Sequence, residues 1–300
     1  MAGASPEDGL NEQRRSFSLE TLTSLVHEPL EALGRLLGRR KRHATVGLAL
    51  SGGAARGIAH IGVLAVLMEA GIIPDLVVGT SAGAAVGALF CRGWSPDQML
   101  RLVRGLGLLK LGRPSLRRPG LLDGARFEEF FRGVIGDLTF ADLSIPLAVV
   151  ACDLRTGEEA VLREGPLAPA VRASCAIPGI FTPAELDGRL LVDGGVVHHI
   201  PIAVARNLGI DYVIGVDAHP REILDRLPHT PFDVLALSYS IVSRRAGICA
   251  GDDADCLIRP DTGRFDPLRF GSQADDLYQA GRQAAQEALS QLQRELEHRS

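Results

Sequence analysis

The chain predicts an α/β architecture, a mostly parallel sheet sandwiched by helices, with a helical extension at the N-terminus. Three observations carry that prediction. From residue 46 onward, short apolar runs alternate with helical patterns, as they do where parallel strands return through helices. Glycine-rich turns follow the first two runs directly. The chain has 300 residues, 46% hydrophobic and 23% charged, which is enough to bury a large core without disulfide or metal staples.

Residues 1–16 are polar. From Leu19 the apolar positions Leu22, Leu25, Val26, Leu30, Leu33, Leu36 and Leu37 fall at helical spacing. Pro29 divides them into two short helices, because proline fits a first turn and not an interior. The run ends in Arg39-Arg40-Lys41-Arg42-His43, a solvated basic end, with a membrane-surface helix as the rival reading. Strands are expected at Val46 to Leu50, Leu76 to Val78, Pro146 to Cys152, Leu190 to Val192, Tyr212 to Val216 and Cys256 to Ile258. Helices are expected over Ile58 to Ala70, from Gly83 to Phe90, from an Asp123 N-cap through Val134, and over Pro201 to Leu208, Val234 to Arg245 and Gln273 to Glu297. The organisation that follows is an extension over 1–44, a core over 45–208, and strands and helices over 209–300 that complete the same domain.

Composition removes several function classes. A net charge of −4 argues against a dedicated nucleic-acid binder, which should be plainly basic. The five cysteines form no Cys-x-x-Cys pair, so a zinc site or disulfide framework is not expected and a reducing compartment is. Met1 to Asp8 has no apolar stretch of the signal-peptide kind, and no 18-residue apolar run occurs. A soluble, cytoplasmic protein is the expectation.

Gly79-Thr80-Ser81-Ala82-Gly83 has the Gly-x-Ser-x-Gly form and lies between an apolar strand and a helix of small residues. A sharp strand-to-helix turn strains the serine backbone, and glycines two residues to each side remove side chains that would clash. Ser81 would then project its hydroxyl at a helix N-terminus, whose free N–H groups favour an anion. A glycine-rich turn with an incidental serine is the alternative. Ser51-Gly52-Gly53-Ala54-Ala55-Arg56-Gly57 follows the first strand and can aim backbone N–H groups at one spot, as a phosphate or an oxyanion requires. A dinucleotide fingerprint fits poorly, with Ala54 in place of its second glycine and Asp75 before the strand it should end. A Walker A loop fails because no Gly-Lys-Ser/Thr follows. Asp193-Gly194-Gly195 ends the run Leu190 to Val192, where an aspartate can face a crevice or simply close a turn.

These three segments, in this order, resemble the patatin-like phospholipase family over most of residues 46–270. Pro146 to Leu154, Arg172 to Phe181 and Leu191 to Val197, with Pro201 shortly after, extend the likeness beyond the motifs. The resemblance implies a patatin-like fold and a Ser–Asp dyad, with Ser81 as nucleophile and Asp193 as base. It implies an oxyanion hole from the backbone around Gly52, Gly53 and Ala54, and it makes Gly57, Gly79, Gly83, Gly194 and Gly195 motif glycines. Arg56 matches an arginine of that loop, where it would hold the loop or meet a phosphate. The implied activity is hydrolysis of lipid esters of the phospholipase or lysophospholipase type, a carboxylic ester hydrolase with no metal and no organic cofactor. Acyl transfer by the same dyad, or a catalytically weak regulatory or membrane-adaptor role, are the alternatives.

The chain departs from the family at two places. Ala54 stands where a third glycine is usual, and its methyl group would narrow the hole or resist a positive φ. His198-His199 follows Asp193-Gly194-Gly195 in place of the usual pair, which raises His198, His199 or His219 as a third catalytic residue. Loop residues beside the site are the plainer reading. His60 reads as a packed or capping residue. Arg101, Arg104, Lys110, Arg113, Arg117 and Arg118 interleave with leucines and no acid. That pattern suits either peripheral contact with an anionic membrane, at the inner face, or an ordinary amphipathic surface.

Overall fold

The computed structural model describes residues 44–115, 119–220, 231–251 and 254–299. Ala44–Arg299 forms one compact unit. The expected N-terminal helices and the Arg39 to Arg42 run lie outside the described residues, as do Arg117 and Arg118.

The strands of the main sheet are β1 (Val46–Leu50), β2 (Leu76–Thr80), β3 (Leu147–Asp153), β4 (Glu159–Leu162), β5 (Ala184–Leu186), β6 (Arg189–Asp193), β7 (Tyr212–Val216) and β8 (Cys256–Ile258). They form one sheet in the order β8-β7-β1-β2-β3-β6-β5, with β4 on β3. From β8 to β3 every pairing is parallel, whereas β4, β5 and β6 join antiparallel. Both faces are covered. In β1, Leu48 and Leu50 enter one apolar cluster and Ala49 the other, the alternation of a strand buried on both sides.

The helices are α1 (Ala59–Glu69), α2 (Ala82–Cys91), α3 (Pro96–Arg104), α4 (Ala125–Ile135), α5 (Leu167–Ser174), α6 (Ile202–Asn207), α7 (Pro231–Gly251) and α8 (Ala274–Arg299). α8 lies against α1 at a contact that two glycines permit. A Cβ on Gly62 would sit 2.0 Å from the Tyr278 carbonyl oxygen, and one on Gly281 1.9 Å from that of Ala59. The helix expected after Asp123 forms, but its cap position is Gly124 and not Asp123, which lies one residue outside and accepts the Ala125 N–H on Oδ1 at 3.0 Å. None of the described helices is long and apolar enough to cross a membrane.

Strand register positions the site. Leu50 pairs with Gly79, so the turns after β1 and β2 leave the sheet side by side. Thr80 pairs with Val150, and Asp193 pairs with Ala151, the next residue of β3. Because β6 is antiparallel, it enters from the far side and ends at the edge where β1 and β2 end. Asp193 therefore arrives beside Ser81.

Candidate active site

Ser81 occupies the single residue between β2 and α2, at φ 54 and ψ −119. A non-glycine residue there costs roughly 1–3 kcal/mol, so the surroundings must impose it. They do so through close backbone contacts. A Cβ on Gly79 would sit 2.6 Å from the Ala84 backbone, and one on Gly83 2.3 Å from the Leu50 carbonyl oxygen. The Ser81 N–H donates to Ser174 Oγ at 2.8 Å, and that hydroxyl donates to the Val150 carbonyl at 2.6 Å. Ser174 ties the turn to β3. Ser81 is 5% exposed and stands at the positive end of α2.

The loop after β1 is held from several directions. Ser51 Oγ donates to the Gly52 carbonyl and accepts the Ala218 N–H, each at 2.8 Å. His60, fully buried, donates from Nε2 to the Ser51 carbonyl at 2.9 Å, and burial lowers its pKa to about 4. It is a neutral brace, as expected of a packed residue. The Gly52 N–H donates to the His199 carbonyl at 3.1 Å, the Ala55 N–H to Pro267 at 3.0 Å and the Arg56 N–H to Gly53 at 3.1 Å. Among the described residues, the loop N–H groups without a protein acceptor are those of Gly53 and Ala54. Gly52 therefore drops out as a hole donor and serves as an anchor.

Ala54 takes φ 50 with its methyl group in place. The loop thus has the positive-φ conformation that a glycine would adopt, and the side chain becomes part of a pocket wall. Arg56 is 4% exposed and its Nε donates to the Phe265 carbonyl at 2.9 Å. Of its two expected roles, that contact is the loop-holding one. Burial lowers its pKa, against the opposing field of Asp266.

Asp193 ends β6 fully buried. Its N–H donates to the Ala176 carbonyl at 3.0 Å, and its Oδ1 accepts the Gly195 N–H at 2.8 Å. The turn-closing bond is present, and the carboxylate, buried behind Ser81 and outside the walls of any crevice among the described residues, lies toward the serine hydroxyl. Gly194 lets the turn pass β3, since a Cβ there would lie 2.3 Å from the Val150 carbonyl oxygen. Burial raises the Asp193 pKa. The Ser81 hydroxyl, the Gly195 N–H and the Tyr239 hydroxyl oppose that rise. Oδ2 has no hydrogen bond of full geometry among the described residues, although the Ser81 hydroxyl faces the carboxylate. The nearby Cys175 thiol is held neutral by burial.

None of the histidines raised by the sequence hydrogen-bonds Ser81 among the described residues. His198 Nε2 pairs with Glu159 at 2.9 Å, and its carbonyl accepts from Thr80 Oγ1 at 2.9 Å. His199 lies between Ser243 and Asp217, and His219 bonds Ser240 Oγ at 2.8 Å. Among the described residues, no group of three or more His, Cys, Asp or Glu side chains is placed to hold a metal ion.

A cavity of about 120 Å³ opens on Ser81 and Ala54, walled by Val86, Leu89, Leu102, Phe131 and Ile180 among others. A cavity of ~150 Å³ accommodates benzene, so this smaller one admits a group of about four or five carbons before any side chain moves. Leu102, Leu106 and Leu111, which the sequence offered to a membrane, line this pocket instead. Arg104 is bound to Asp275 at 2.5 Å, while Arg101 and Arg113 are exposed. Sequence reasoning missed Ser174, Tyr239 and Ser243. The last two sit four residues apart, a spacing that puts both hydroxyls on one helix face. Nothing local to Ser174 signals its role.

The patatin-like phospholipase profile matches residues 48–206, more than half of the chain. An uncharacterised NTE-family protein of Mycobacterium tuberculosis is 38% identical over 180 residues, covering 59% of this chain and 50% of that protein. The neuropathy target esterase of Drosophila melanogaster is 30% identical over 267 residues, 76% of this chain and 18% of the relative. The chain thus spans about half the length of the first of these and under a fifth of the second. Among solved structures, VipD from Legionella pneumophila superposes with a TM-score of 0.56 at 15% identity, over 83% of this chain and 67% of that one, a likeness of fold alone. With the matched segment containing both Ser81 and Asp193, the chain belongs to the patatin-like phospholipase family.

Proposed function

We propose that the chain is a serine acyl hydrolase of lipid esters, of phospholipase or lysophospholipase type, acting through Ser81 and Asp193. One observation carries the proposal: a strained serine faces a buried carboxylate while an apolar cavity opens on that same serine. Asp193 takes the Ser81 proton as the hydroxyl oxygen attacks the acyl carbonyl carbon. The carbonyl oxygen becomes an oxyanion, met by the Gly53 and Ala54 N–H groups and the N-terminus of α2. When the tetrahedral species collapses, the ester C–O bond breaks and Asp193 returns its proton to the leaving alcohol. Water then gives a proton to Asp193 and attacks the acyl-enzyme, releasing the fatty acid and regenerating Ser81. The apolar cavity receives the start of the acyl chain.

The lipid surface is the natural place for this reaction. α7 carries Tyr239 and Ser243 against Asp193 and Gly195, while its Val234, Leu235, Ile241 and Val242 are exposed. This apolar face of α7, with exposed Arg245 on the same helix, supports peripheral contact with anionic membrane better than the inward-turned leucines around Leu106.

The test is incubation of the purified protein with a panel of phospholipids and lysophospholipids in neutral and anionic vesicles, with product identification. Free fatty acid is expected, and its release should stop with Ser81→Ala. Acyl products appearing only when an alcohol or thiol acceptor is added would favour acyl transfer. No product from any lipid would favour the adaptor role.

A further inference from the structure

Gly195 shows why the second glycine after Asp193 cannot carry a side chain. The point its Cβ would occupy lies 2.4 Å from the Tyr239 hydroxyl, 2.9 Å from Ser243 Oγ and 3.1 Å from Asp193 Oδ1. Three polar oxygens from two elements converge there, and the chain of contacts runs on. Ser243 Oγ lies 2.8 Å from His199 Nδ1, and His199 Nε2 lies 3.3 Å from Asp217 Oδ1. A carboxylate at Nε2 assigns the proton to that nitrogen, so Nδ1 accepts from the Ser243 hydroxyl. Asp217 is fixed in turn by the His219 N–H at 3.0 Å. With the Ser243 proton committed to His199, the one proton of Tyr239 goes to the strongest acceptor in reach, the Asp193 carboxylate.

We propose that Tyr239 is a positioning residue for the catalytic base, donating a hydrogen bond to Asp193 from α7, and that Ser243, its proton turned to His199, leaves the phenol proton to the carboxylate. Gly195 and Tyr239 then secure the carboxylate while Oδ2 remains for the Ser81 proton. The phenol stays protonated at working pH, because burial and the Asp193 charge push its pKa far up. The phenol hydrogen bond offsets part of the burial penalty on the ionised base. The groups facing Asp193 are Ser81 from the elbow, Cys175 after α5, Tyr239 from α7 and His199. Those facing the far end are His60, His219, Arg56 and, at 4.0 Å from Asp217, Arg259.

The inference rests on the Ser81–Asp193 reading, and the test separates the two. Turnover of a soluble ester and fluorophosphonate labelling are followed from pH 4 to 9 in the natural protein, Tyr239→Phe, Ser243→Ala and Ser81→Ala. Loss of a hydrogen bond to a charged group should move the acid limb of kcat/KM up by about one pH unit in Tyr239→Phe. kcat on that limb should fall about tenfold with KM within twofold, and recover as pH rises. Ser243→Ala keeps the phenol and should leave the limb in place, and Tyr239→Leu, which also removes the hydroxyl, carries the test if Tyr239→Phe does not fold. An unmoved limb without the phenol hydroxyl, or a loss equal at every pH, overturns the inference. Activity that survives Ser81→Ala overturns the dyad reading itself.

Discussion

Replacing Asp193 by Asn separates what the site costs from what it does. The carboxylate is fully buried, Oδ1 accepts one N–H at 2.8 Å, and Oδ2 lacks a hydrogen bond of full geometry among the described residues. Burial raises its folded pKa above the unfolded value. The native state therefore binds the proton more tightly than the unfolded chain does. The group's contribution is most favourable below the ordinary carboxylate pKa of about 4 and declines as pH rises through the folded value. Asparagine keeps the shape and the acceptor for Gly195 and has no charge to desolvate. At pH 7 the variant should be more stable by roughly 1–3 kcal/mol, the penalty of an incompletely satisfied buried group. In a domain of this size that is about 2–10 °C in Tm. Ester turnover should fall by about 10⁴-fold, as when a dyad or triad loses its acid. Thermal unfolding and turnover measured on the same preparation check both, and the stability gain should shrink at pH 4. An unchanged or lower Tm at pH 7, or activity within tenfold of the natural protein, would refute the reasoning.

The elbow strain at Ser81 predicts that Ser81→Gly unfolds about 1 kcal/mol later than Ser81→Ala, both being inactive; equal Tm values would mean the turn stores no strain. Because Ala54 already holds φ 50, Ala54→Gly should leave kcat on a soluble ester within about threefold, and a rise approaching the ~10²-fold associated with one hole donor would show that the methyl group obstructs the hole. Ala85 lines the cavity, so Ala85→Phe should lower kcat/KM at least ~10-fold for long-chain esters and spare acetyl esters; an equal effect on both would place the acyl chain elsewhere.

The strand-like runs and the elbow were legible because local chemistry determines them. The Gly79 and Gly83 positions tolerate no side chain, and the Val46 to Leu50 run is buried on both faces. Asp193 was a weaker signal, since an aspartate before glycine also closes turns, and here it closes one while its carboxylate lies buried toward Ser81. What escaped depends on pairing across long stretches of chain. Gly52 loses its N–H to His199, and Arg56 directs its Nε to the Phe265 carbonyl, contacts that no local pattern announces. The antiparallel entry of β6, β5 and β4 is likewise a property of the assembled sheet. The leucines around α3 looked available to a membrane because amphipathicity reveals an apolar face and not its partner. Sequence reasoning missed α3, although Ser95 and Gln98 form a capping box around Pro96, a start signal present in the residues themselves.

The proposed mechanism requires Ser81 to be the nucleophile. The most direct test is to react the protein with a fluorophosphonate, map the adduct by peptide mass spectrometry and measure lipid-ester turnover on the same sample. One adduct per chain is expected, on Ser81, with turnover lost in proportion to labelling and both absent from Ser81→Ala. An adduct on another residue, or turnover that persists when Ser81 is fully labelled, would contradict it.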